Sequence, residues 1–134
     1  MFNIKKLIFA LLIISGLGVF LPWFFFDKNV NYTNGIVWIF NSPIMLLSFI
    51  SSSILLRQKN NSIFFRLFTF VSLLLIPINC FYLFLTWHIL AITGKLDIVI
   101  SFRTAHYGFY ITFISSLIAT ILYFFNYVAK TSTN

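Results

Sequence analysis

The sequence predicts an all-α integral membrane protein, and three observations carry that expectation. First, the chain has 134 residues, 60% hydrophobic and only 8% charged, whereas soluble domains carry about 25% charged residues. So few charges cannot cover a surface facing water. Second, four runs at residues 7–26, 36–56, 67–90 and 107–129 contain no Asp, Glu, Lys or Arg. As helices rising about 1.5 Å per residue, each matches or exceeds a hydrocarbon core of about 30 Å. Third, the basic residues gather at the ends of these runs. The expected architecture is therefore one domain over residues 1–134, an up-down-up-down bundle of four transmembrane helices.

Run 7–26 follows Lys5 and Lys6, which could also open a signal peptide. A signal peptide, however, has a shorter apolar core and a small-residue cleavage site. Here the run continues through Phe20-Leu-Pro-Trp-Phe-Phe-Phe26, bulky throughout. The expectation is a retained helix, with Pro22 in its last turn, where a proline removes few hydrogen bonds. Connections at residues 27–35 and 57–62 are short and carry Asn and Gly or Ser, and residues 91–106 form the longest one.

Net charge is +7, from nine Lys/Arg against two Asp. Because these charges flank apolar runs, they point to anionic headgroups rather than nucleic acid. A cytoplasmic N-terminus puts Lys5, Lys6, Arg57, Lys59, Arg66 and Lys130 inside. Lys28, Lys95 and Arg103 then fall outside with Asp27 and Asp97. That split obeys the positive-inside rule and places both termini in the cytoplasm. Trp23, Trp38 and Trp87 fall at the outer ends of their runs and are expected as interfacial anchors.

Lipid does not drive helices together, so small and polar residues mark helix contacts. Ser15, Gly18 and Pro22, then Asn41, Met45, Ser48 and Ser52, then Ser72, Asn79 and Thr86, and finally Gly108, Thr112, Ser115 and Ala119 recur at helical spacing. Pro43 and Pro77 sit beside Asn41 and Asn79. A proline frees a backbone carbonyl that a neighbouring amide can satisfy. Asn41 and Asn79 are thus expected to face the bundle interior, as a packing site or, on a sharper reading, as a polar pocket.

Much chemistry is missing. No acid or Lys lies mid-run, where proton-coupled carriers need one. There is no phosphate-binding glycine loop and no His-Glu-x-x-His. The single Cys80 excludes an internal disulfide and a Cys-x-x-Cys pair. Polar residues collect near the longest connection as an outer-face cluster of His88, Asp97, Arg103 and His106, with Asp27 and Lys28 on the neighbouring loop. Two His and an Asp can hold a metal, but His and Arg at headgroup depth serve more often as anchors. No metal and no cofactor are expected. Asn31-Tyr-Thr33 matches a glycosylation sequon, without meaning in the bacterial source that the Asn, Lys, Ile and Phe bias suggests.

The functional expectation is a small non-enzymatic protein of a bacterial cytoplasmic membrane. It would act through helix contacts with a membrane-protein partner or with itself, as accessory and immunity-like proteins do. The alternative is a small oligomeric transporter or channel using Asn41 and Asn79. Least favoured is a membrane enzyme at the outer headgroup layer using His88, Arg103 and His106.

Overall fold

The computed structural model describes residues 3–25, 32–59, 62–89 and 94–128. It is mostly helical, with α1 Ile4–Gly18, α2 Gly35–Asn41, α3 Pro43–Arg57, α4 Ile63–His88, α5 Ile98–Thr104 and α6 Tyr107–Tyr123. A π-helical turn, Phe124–Val128, prolongs α6. Two short strands, β1 Pro22–Phe25 and β2 Tyr32–Asn34, pair antiparallel. Two helices are long and apolar enough to cross a membrane: Ile63–His88, and Tyr107–Val128 counted through the π turn. A third crossing results if α2 and α3 count as one bent span.

The first run departs from expectation. Its helix stops at Gly18, and 15 residues reach only about 22 Å. Pro22 lies in a strand, not in a last helical turn. The cause is local and tertiary together. Proline disfavours helical backbone at the residue before it, and the chain beyond Gly18 finds other partners. Gly35 N–H donates to the Leu21 carbonyl at 3.3 Å, Ile36 N–H to Val19 at 2.9 Å, and His106 N–H to Trp23 at 2.7 Å. Phe24 also bridges to Ala105. Extended backbone is thus enclosed by protein and hydrogen-bonded on both sides, the condition for non-helical chain at membrane depth.

The second run is also broken. α2 and α3 meet at Ser42 with a bend of 99°. Pro43 keeps Ser42 out of helical backbone (φ −121°, ψ 84°) and opens α3 at its first turn, a position proline favours. The third run behaves differently. α4 passes through Pro77 unbroken and begins before the apolar run, at Ile63, with Ser62 capping Phe65 N–H. Residues 91–106 contain α5, which a reading of that stretch as loop does not include.

α1 packs chiefly on α6, and α4 lies between α3 and α6. Most of the small-residue stripes are buried: Ser15 and Gly18, Met45, Ser48 and Ser52, Ser72, and Gly108, Thr112, Ser115 and Ala119; Pro22, Asn79 and Thr86 are only half-buried and Asn41 is exposed. Large apolar side chains face outward, among them Leu17, Leu47, Phe64, Phe68 and Phe125, with Phe64 82% exposed. The start of α1, the end of α3, the start of α4 and the π turn converge at one end of the molecule, the first three of them with basic residues. There Lys5 Nζ donates to the Gln58 carbonyl at 2.8 Å and an Arg66 guanidinium N–H to the Tyr127 carbonyl at 3.4 Å.

Candidate functional site

The end opposite the basic one is closed by rings. Trp23, Phe24 and Trp87 are enclosed, with Phe84 and Phe109 buried beside them. Phe24 stacks on Trp87, centroids 4.9 Å apart and planes at 9°, and meets Trp38 edge-on at 5.7 Å. Trp23 meets Phe24 and Phe109 edge-on. Its indole N–H donates to the Gly18 carbonyl at 3.0 Å. Gly35 lies against the Trp23 indole so closely that a Cβ there would run into the ring. The tryptophans expected as interfacial anchors are therefore placed differently. Trp23 and Trp87 lie inside the protein because partner rings surround them, and Trp38 is half-buried with its N–H on Thr33 Oγ1 at 3.0 Å.

Around this plug stand the polar residues of the longest connection. His88 is fully buried, its Nε2 3.0 Å from Ser101 Oγ on α5. A hydroxyl beside an imidazole resembles an activated nucleophile, but the geometry opposes that role. Ser101 Oγ also donates to the Asp97 carbonyl at 3.3 Å, which leaves its oxygen to accept from the imidazole. Both side chains have zero exposure. Asp97 caps α5, accepting from Val99 and Ile100 N–H at 2.9 and 3.2 Å. Arg103 is exposed on α5. His106 caps α6 with its ring edge-on to Phe25 at 4.6 Å, and its buried Nδ1 has no hydrogen-bond partner. His88 thus joins Ser101, and His106 joins Phe25. Among the described residues no three His, Cys, Asp or Glu side chains gather as a metal site. Asp27, Lys28, Asn31 and Lys130 lie outside the described residues.

The second candidate, Asn41 with Asn79, is divided by the break at Ser42. Asn41 ends α2 and is exposed there. Asn79 is half-buried. Its Oδ1 accepts from Ser42 Oγ at 3.2 Å, and its Nδ2 donates to the Leu75 carbonyl of its own helix at 2.8 Å. The carbonyl that Pro77 frees, four residues back at Leu73, is met from another helix. Thr120 Oγ1 of α6 lies 3.1 Å from it while also bonding the Ser116 carbonyl at 2.8 Å. Ser42, Ser101 and Thr120 are the polar partners that sequence reasoning passed over. Ser42-Pro43 carried a signal, since serine before proline is a helix-start pattern; the other two become visible only through packing.

The polar groups at these places hold elements together. No protein-family model matches this chain, and no curated protein or solved structure is detectably similar to it.

Proposed function

We propose that this chain is a small, non-enzymatic integral membrane protein that acts through helix contacts with a membrane partner or a second copy. One observation carries the reading. The buried hydroxyls of Ser15, Thr112 and Thr120 are bonded within the chain, while the outward faces are apolar along α1, α3, α4 and α6. Such a surface suits lipid and a neighbouring helix.

On this reading the chain crosses the membrane four times. α4 and α6 each cross alone, and α3 crosses with the bend above it. α1 runs beside α6 at the same depth and is completed by the extended segment through Phe25. The basic end, with Lys5, Lys6, Arg57, Lys59 and Arg66, lies in the cytoplasm by the positive-inside rule. Both termini lie there too. Reporter fusions after Asn134 and near Asn31 then give opposite signals; equal signals refute the topology. For the function, photo-crosslinking amino acids placed at Leu47, Phe68 and Ile114, all outward, are expected to trap one defined protein adduct on one face. Lipid adducts alone at all three positions defeat the contact reading.

A transport reading has one specific support, the break between α2 and α3. Broken helices at polar pairs line the sites of many transporters, and here the break carries Ser42 bonded to Asn79. Asn79→Leu separates the readings. As a packing change it destabilises by about 1 kcal/mol or less and leaves function standing. Loss of function in a fully folded Asn79→Leu protein favours transport.

A further inference from the structure

We propose that the basic end holds an anionic phospholipid, headgroup on Lys5, Lys6 and Arg57 and acyl chain along α3. This rests on the membrane reading above and adds a ligand to it. Between the start of α1 and the end of α3 lies a groove of about 360 Å³ whose lining includes Lys5, Lys6, Phe9 and Arg57. A second groove of about 340 Å³ runs along α3 past Ile50 and Ile54, and Arg57 lines both. The two share Arg57, so a cationic mouth is continued by a shallow, mainly apolar strip of α3, a polarity that suits a phospholipid.

Two of the three cations are held in place. Lys5 is pinned to the Gln58 carbonyl, and the Arg57 guanidinium sits 5.3 Å above the Phe9 ring centroid, a cation–π distance. Lys6 and Arg57 are exposed, and Lys59 stands just beyond them. No acid among the described residues shares this end. The chain has only Asp27 and Asp97; Asp97 caps α5 beyond the far end of α4, and Asp27 is outside the described residues. A concentration of uncompensated positive charge beside hydrocarbon is matched by a phosphate diester carrying a net negative headgroup, and poorly by a zwitterion. Inorganic phosphate shares the anionic chemistry but has nothing to lay in the apolar groove.

The test uses the full chain in detergent micelles, read by native mass spectrometry during titration with phosphatidylglycerol, phosphatidylcholine or inorganic phosphate. One phosphatidylglycerol is expected to remain bound per chain, more tightly than phosphatidylcholine. Each of Lys6→Gln and Arg57→Gln is expected to weaken it about fivefold, the effect of one basic residue at an anionic surface. Arg103→Gln, exposed on α5 at the other end, is expected to leave it unchanged. All three replace exposed side chains, and circular dichroism checks that they fold. Equal retention of the two lipids overturns the proposal, as does equal weakening by Arg103→Gln. Displacement of phosphatidylglycerol by millimolar inorganic phosphate overturns the lipid as ligand. Carbonate-resistant insertion into pure phosphatidylcholine vesicles tests the membrane reading separately, since it does not depend on the site.

Discussion

Ser15 and Thr112 exchange hydrogen bonds across the contact of α1 with α6: Ser15 Oγ donates to the Thr112 carbonyl at 3.0 Å, and Thr112 Oγ1 to the Ser15 carbonyl at 3.1 Å. Both residues are fully buried. One turn on, Gly18 faces the same threonine, and a Cβ there would collide with Thr112 Oγ1. The small residue permits the approach and the reciprocal pair fixes it. Thr112→Val is therefore expected to destabilise the protein by about 0.6 to 1.7 kcal/mol, the span measured for polar pairs between membrane helices. Unfolding in micelles of Ser15→Ala, Thr112→Val and the double variant measures the coupling. Strict additivity would show that the two side chains act independently.

Two glycines are expected to respond with opposite sign. Gly35→Ala drives a methyl group into the Trp23 indole, an overpacking worth about 1 to 3 kcal/mol of lost stability. Gly16→Ala, inside α1 with nothing within 4 Å of the new atom, is expected to gain about 0.5 to 1 kcal/mol from helix propensity. Paired melting curves check this, and a stable Gly35→Ala protein would mean that the indole does not lie where it is described.

The proline in α4 gives a rescue experiment. Thr120→Val removes the hydroxyl that reaches the Leu73 carbonyl and is expected to destabilise by about 1 to 3 kcal/mol, the effect of an unsatisfied buried acceptor. Pro77→Ala restores an amide hydrogen in register with that carbonyl. The double variant should then lose less than Thr120→Val alone. A double variant as unstable as the single one would show that Thr120 acts elsewhere.

Cys80 is the only thiol and is fully buried. In native membranes it is expected to resist a membrane-permeant maleimide and to react fully in hot SDS. Rapid labelling of the folded protein, followed by mass spectrometry, would place Cys80 on the surface.

What the sequence made legible follows from how local each cause is. α4 and α6 read correctly as long apolar runs because more than 20 residues without a charge need no partner to be recognised. The inward position of Ser48, Ser52, Thr112 and Ser115 followed from spacing alone. Pro43 announced a disturbance in the second run, but a kink and a 99° turn leave the same mark in sequence. The strand Pro22–Phe25 could not be foreseen, since Trp and Phe are as apolar in a strand as in a helix. Its selection depends on Tyr32 and Thr33 across a turn and on Ala105, distant in the chain. For the same reason the tryptophans read as headgroup anchors: an indole at the end of an apolar run suits an interface equally well, and only the stacked Phe24 and Trp87 rings draw it inside.

The reciprocal bond between α1 and α6 joins residues 97 positions apart, and this has a consequence for the order of events on the ribosome. At about 5–20 residues added per second, Ser15 waits about 5–20 s for Thr112 to be made. During that interval the strand after α1 also lacks the His106 amide that later closes on Trp23. The first helix must therefore be kept by the insertion machinery, or by a passing partner, until nearly the whole chain has emerged. Released chains truncated before residue 105 should be cleared by proteases faster than the full-length chain, because only the longer chain can bring α6 to the waiting helix.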